Sequence, residues 1–143
     1  MNDDQRLNYK YFSRITTRWM DNDIYGHINN VVYYSYFDSV TNKYLIEEGG
    51  LDIQNADIIG FVVASTCQYK SPVSYPEPLT AGLRVNKLGN SSVEYGIGIF
   101  KKDAEQASAM GTFTHVFVDR TTDKSVPIPS ELRVALEALA IKE

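Results

Sequence analysis

The stretch Arg18-Trp19-Met20-Asp21-Asn22-Asp23-Ile24-Tyr25-Gly26-His27-Ile28-Asn29-Asn30 divides two segments whose apolar residues repeat with different periods. Before it, Tyr9, Tyr11, Ile15 and Trp19 fall on one parity and Lys10, Arg14 and Arg18 on the other. Period two with aromatic and β-branched residues predicts a half-buried strand over 9–19. After it, Tyr33, Tyr36, Phe37, Val40 and Tyr44 share one side of a helical wheel, opposite Ser35, Asp38, Ser39 and Asn42. This pattern predicts a helix from Asn30 to about Glu48, capped by Asn29 or Asn30 and stopped by Gly49-Gly50. The stretch itself is then a loop carrying two carboxylates, a histidine and adjacent asparagines between two ordered elements. Such loops are where binding and catalysis concentrate.

Downstream the chain reads mostly as strand. Ile59 to Tyr69 is a β-favouring run closed by Ser71-Pro72, and Pro72, Pro76 and Pro78 mark an extended crossing. Leu79 to Leu88 and Val93 to Phe100 alternate around Gly89-Asn90, which predicts a hairpin. Ala107 to Asp119 is the last strand, with Met110, Thr112, Thr114, Val116 and Val118 on one parity. Pro127 and Pro129 break the chain before a short helix over Ser130 to Ile141, capped by Ser130, with Leu132, Leu136 and Leu139 on one face. Residues 1–7 read as a loose tail. Strands that follow one another instead of alternating with helices predict an α+β fold, and residues 1–143 read as one domain.

Composition narrows the partners. The chain is 43% hydrophobic and 22% charged, in the globular range. A formal charge of -4 argues against nucleic acid as a bulk electrostatic partner. No apolar run nears the roughly 20 residues of a membrane span. Met1 to Arg6 is polar and does not read as a signal peptide, and the single cysteine, Cys67, cannot form an internal disulfide, so a cytoplasmic location is expected. Cys67 reads as a small buried residue.

Several motifs fail on inspection. Asp21-Asn22-Asp23-Ile24-Tyr25-Gly26 opens like a calcium loop, but Tyr25 and Val32 stand where ligands belong. Gly96-Ile97-Gly98 lacks a third glycine and sits inside a strand, where close approach of another backbone explains it better than a nucleotide. His27 and His115 lie far apart in sequence without further ligands beside them, so no metal site is expected.

The residues of the loop support two readings. Asp23 can take a proton from water or attack a carbonyl, and the first turn of the following helix offers unpaired N–H groups where negative charge would build. Alternatively, Asp21 or Asp23 caps the loop and His27 hydrogen-bonds a neighbour.

The pattern Arg18-Trp19-x-Asp21-x-Asp23-x-x-Gly26-His27-x-Asn29-Asn30-x-x-Tyr33 resembles the signature of the hotdog-fold thioesterases, in their 4-hydroxybenzoyl-CoA thioesterase-like branch. The resemblance extends to Tyr-x-x-Pro at 69–72 and to Asp-Arg-x-Thr-x-Lys-x-x-Pro at 119–127. It implies a long central helix wrapped by a curved antiparallel sheet, a homodimer or homotetramer, and hydrolysis of an acyl-CoA with no cofactor beyond the CoA of the substrate. It assigns Asp23 as nucleophile or general base and the helix start at Asn30 as the group polarising the carbonyl, with His27 as a further catalytic candidate. Tyr25, Gly26, Tyr33, Tyr36, Phe37, Phe61 and Val62 become substrate-binding candidates, and Lys70, Arg84, Lys87, Lys101 and Lys102 candidates for the CoA phosphates. An enoyl-thioester hydratase and a non-catalytic acyl-CoA-binding protein are the alternatives on the same fold.

Overall fold

The computed structural model describes residues 4–141. Its elements run β1 (Tyr11–Ile15), α1 (Asn30–Glu47), β2 (Ile58–Tyr69), β3 (Leu79–Leu88), β4 (Ser92–Lys101), β5 (Ala109–Asp119) and α2 (Ser130–Glu137). The strands form one curved antiparallel sheet in the order β1-β3-β4-β5-β2. Register shifts at Val62/Ala64 and Val85/Lys87 insert extra residues and bend the strands that carry them. This is the hotdog architecture expected from the resemblance.

Helix α1 lies on the sheet with Tyr33, Tyr36, Phe37, Val40, Tyr44 and Leu45 buried. Phe37 of the helix meets the sheet at Gly111, where an added Cβ would sit 2.6 Å from its ring and 2.1 Å from the Thr66 carbonyl oxygen of β2. Only a residue without a side chain lets the Phe37 ring rest on the strand there. The pair Gly96 and Gly98 does lie mid-strand, but side chains rather than a second backbone fill the space above it. An added Cβ would meet Arg84 Nε at 2.7 Å and the Tyr9 ring at 2.9 Å.

The strand expected over 9–19 is shorter, and its end has a local cause. Pairing stops at Ile15 opposite Leu79, just after Pro78, which has no N–H to donate. Trp19–Asp21 then turns as a 3-10 helix and leaves Trp19 exposed. The expected tail is ordered from Asp4 onward, while residues 1–3 lie outside the described residues. Arg6 donates from Nε to the Ala104 carbonyl at 2.8 Å, and its guanidinium sits 4.8 Å from the Phe100 ring centre.

At the other end, Ser130 is the first residue of α2, not its cap, and Pro129 takes that place. The helix stops at Glu137 because the chain exchanges helical bonds for pairing with the bulged Val85. Val85 N–H donates to the Leu139 carbonyl at 2.9 Å, and Ile141 N–H to the Val85 carbonyl at 3.1 Å. Cys67, expected to be buried, is half-buried and free. Among the described residues no helix is long and apolar enough to cross a membrane.

Strand β2 forms one edge of the sheet and is exposed over most of its length. Phe61 and Val62 are each 46% exposed, and Val63 more so.

Candidate active site

The loop between β1 and α1 closes on itself before it reaches the helix. Asn22 and Ile28 pair across it, and Asp23 N–H donates to the His27 carbonyl at 2.8 Å. Asp23 Oδ1 accepts the N–H groups of Tyr25 at 2.9 Å and His27 at 3.3 Å, an Asx turn that shapes the tip. Gly26 completes it at φ 82°, a left-handed backbone that favours glycine. Two bonds fasten this small hairpin to the crossing segment. Ile28 N–H donates to the Val73 carbonyl at 2.8 Å, and Tyr75 N–H to Asn22 Oδ1 at 3.0 Å.

The two carboxylates have different fates. Asp21 is 1% exposed and receives hydrogen bonds from Arg18 and Tyr36. Burial pushes its carboxyl group up, but the Tyr36 hydroxyl and the backbone and guanidinium of Arg18 outweigh this and hold it below the ordinary aspartate range. Asp23 is half-buried, and among the described residues no donor occupies its second oxygen, Oδ2.

The helix start has a similar vacancy. Asn29 caps α1, its Oδ1 accepting Val31 N–H at 3.2 Å, and its carbonyl accepts Val32 N–H at 2.9 Å. Asn29 N–H is taken by the Asp21 carbonyl. Between them, Asn30 N–H has no acceptor among the described residues. It stands at the positive end of an 18-residue helix.

Asp23, His27, Asn30, Tyr33, Tyr69 and Lys70 line one cleft of about 290 Å³. Tyr69 drew no role from the sequence beyond its place in the Tyr-x-x-Pro pattern, yet it forms a wall of this cleft. Its hydroxyl donates to the Asn30 carbonyl at 3.3 Å, and its ring meets Tyr33 edge to face at 5.1 Å. Burial pushes the Tyr33 hydroxyl up to about 12, and burial with the neighbouring Cys67 raises Tyr69 as well. Both tyrosines are therefore neutral walls at physiological pH.

The remaining candidates lie elsewhere in the chain. Tyr25 is 79% exposed at the loop tip, and Gly26 serves the turn. Tyr36 is held by Asp21 behind Tyr33, whose ring it meets edge to face at 6.3 Å, and does not line the cleft; Phe37 is fully buried against Phe113. Phe61 and Val62 stand on the β2 edge. Of the basic residues, Lys70 alone borders the cleft; Lys87 and Lys101 are on β3 and β4, and Lys102 just beyond β4. Arg84 is buried, its guanidinium 4.6 Å from the Tyr9 ring centre and its Nε donating to Asn86 Oδ1 at 2.9 Å. Among the described residues no three His, Cys, Asp or Glu side chains are grouped to hold a metal ion.

A carboxylate with a spare oxygen and a helix N–H with no acceptor thus share a cleft with neutral aromatic walls. This is a layout for attack on a carbonyl whose oxygen is received by the N–H. Comparison with known proteins bears on which carbonyl. Residues 17–136 match the family model of the thioesterase-like superfamily. The long-chain acyl-CoA thioesterase FadM of Escherichia coli is 26% identical over 128 residues, covering 89% of this chain and 97% of FadM. The Bacillus subtilis protein YsmA is 25% identical over 88 residues, 62% of this chain and 59% of YsmA. Among solved structures, the PA5185 protein of Pseudomonas aeruginosa superposes with a TM-score of 0.94 at 53% identity, covering 96% of both chains.

Proposed function

The chain belongs to the thioesterase-like superfamily, and from that premise we propose that it hydrolyses an acyl-CoA thioester to the free acid and CoA. The observation that carries this is the pairing of the Asp23 carboxylate with the acceptor-free Asn30 N–H in one cleft. FadM, similar along nearly its whole length, supports an acyl-CoA as the substrate class.

The thioester carbonyl oxygen is received by Asn30 N–H, aided by the helix dipole, so that charge building on it is met by a fixed donor. As a general base, Asp23 takes a proton from water while the water oxygen bonds to the carbonyl carbon. The tetrahedral adduct then expels the CoA thiolate, which takes up the proton. As a nucleophile, Asp23 instead bonds to the carbon itself, releases the thiolate and leaves a mixed anhydride for water to open. Lys70, which lines the cleft, is the basic group we assign to the CoA phosphates.

The exposed edge of β2 supports a second copy of the chain as partner. A twelve-residue edge strand presenting Phe61, Val62 and Val63 leaves unpaired N–H and C=O groups beside apolar surface, which pairing with another edge would cover. A solution mass by light scattering of at least two chains is expected, and a monomer at micromolar concentration rules the pairing out. The single free Cys67 fits a reducing compartment such as the cytoplasm.

The test of the activity is free-thiol release from acyl-CoAs of short, long and aromatic acyl groups. Release from at least one class is expected and ranks the substrates. Absence of release from all of them refutes the proposal, and loss of enoyl absorbance without thiol would mark a hydratase.

A further inference from the structure

We propose that Asp21 is a positioning residue for this reaction, holding the Asp23 carboxylate and the Asn30 N–H in register. The proposal rests on the thioesterase reading above.

The side chain of Asp21 is a buried junction. Oδ1 accepts Arg18 Nε at 3.1 Å and Arg18 Nη2 at 3.0 Å, while Oδ2 accepts the Arg18 backbone N–H at 2.9 Å and the Tyr36 hydroxyl at 2.8 Å. Its backbone carbonyl accepts Asn29 N–H at 2.9 Å, and Asn29 is the cap of α1 immediately before Asn30. One residue therefore ties the chain leaving β1, the second turn of α1 and the helix cap together.

Asp23 has no such anchor of its own. Its N–H, its carbonyl and Oδ1 bond only within residues 23–27. Its place relative to Asn30 depends on what fastens the hairpin at its base. On one side this is the crossing segment at Val73 and Tyr75, and on the helix side it is Asp21. Only Asn22 separates Asp21 from Asp23, at most about 7 Å of chain, so a shift at Asp21 reaches Asp23 with little slack.

A carboxylate suits the junction because its four bonds all come from donors. Asparagine has nearly the same shape but turns an NH₂ toward two of these donors, whichever oxygen it replaces. The Arg18 side chain is 63% exposed and can turn to water, so Asp21→Asn loosens the junction without stranding a buried charge. Tyr36→Phe removes one bond and leaves the Arg18 contacts intact.

The experiment compares wild type, Asp21→Asn, Tyr36→Phe and the double variant on the best acyl-CoA of the panel, together with amide hydrogen exchange. Misplacement of a reacting group by about 1 Å costs up to about a hundredfold. Asp21→Asn is expected to lower kcat by about 10- to 100-fold with KM changed less than about threefold. Tyr36→Phe should lose less, and the double variant no more than Asp21→Asn alone, because both act through one junction. Exchange should quicken in residues 22–30 and stay unchanged in β3 and β4. An unchanged kcat, whether or not exchange quickens, overturns the proposal, as does a loss carried by KM. A wild-type protein that releases no thiol refutes the thioesterase reading and this role with it. That outcome is distinct from an active wild type whose variants equal it.

Discussion

Asp23→Asn is expected to lower kcat for thioester hydrolysis by about a thousandfold, within the range of roughly 10²–10⁴ for a positioned acid or base. In free energy this is about 4 kcal/mol of transition-state stabilisation. Asparagine is the informative substitution because it separates chemistry from shape. Its Oδ1 can still accept the N–H groups of Tyr25 and His27 that form the Asx turn, so the hairpin keeps its outline. What disappears is the oxygen that no donor occupies, replaced by an NH₂ that neither accepts a proton nor attacks a carbonyl. Asp23→Ala removes the turn as well and should lose at least as much activity. Both proteins should fold, since Asp23 makes its bonds only within its own loop and buries little. The measurement is kcat for each variant beside a thermal melt. A folded Asp23→Asn protein with kcat within about fivefold of wild type would remove Asp23 from the reaction, whichever of the two mechanisms operates.

The order of elements was legible because each follows from a local period: alternation into the motif, helical spacing out of it, then alternation again. Helix α1 begins and ends within a residue of the expected bounds for that reason. The edges of the sheet were not legible. Phe61 and Val62 became substrate-binding candidates through the resemblance alone; that β2, which carries them, pairs with β5 and forms a sheet edge among the described residues is a matter of partners some fifty residues away. Asp21 and Asp23 are the same residue type two positions apart. Which one is buried depends on Arg18 and Tyr36 converging on Asp21, and Tyr36 comes from the helix. Arg84 was a candidate for the CoA phosphates, but Gly96 leaves a space over the sheet into which its side chain lies down beside Tyr9. In β5 the alternation was visible, and the structure buries Ala109, Phe113, His115 and Phe117 on the parity opposite Thr112 and Thr114. That choice depends on which face the helix covers.

His115 carries the second large expectation, a loss of stability in mild acid. It is 2% exposed in the core, where Tyr95 of β4 meets its ring at 5.1 Å and Phe117 at 6.3 Å. Among the described residues its Nδ1 has no hydrogen-bond partner, and Gly60 of β2 lies so close that an added Cβ would sit 2.9 Å from that atom. Burial lowers its pKa from 6.5 to about 4, and the Asp38 carboxylate on α1 opposes this only weakly. In the unfolded chain His115 takes up its proton near pH 6.5, and in the folded protein only near pH 4. Between those values the unfolded state binds more protons, so acid favours unfolding. The contribution is complete above about pH 6.5 and is lost as the pH falls toward 4, by on the order of 3 kcal/mol. The lowered Asp21 carboxyl group acts in the same direction but only below its ordinary range near 3.8, so it does not mask the upper window. Urea midpoints measured from pH 7.5 to 4.5 should fall for the wild type and stay much flatter for His115→Leu, which fills a similar volume and has no proton to bind. Leucine also removes the unpartnered Nδ1, so the variant should be at least as stable as wild type at pH 5 even if the ring's packing is lost at pH 7.5. Equal slopes in the two proteins would show that His115 is not the group that makes the folded state acid-sensitive.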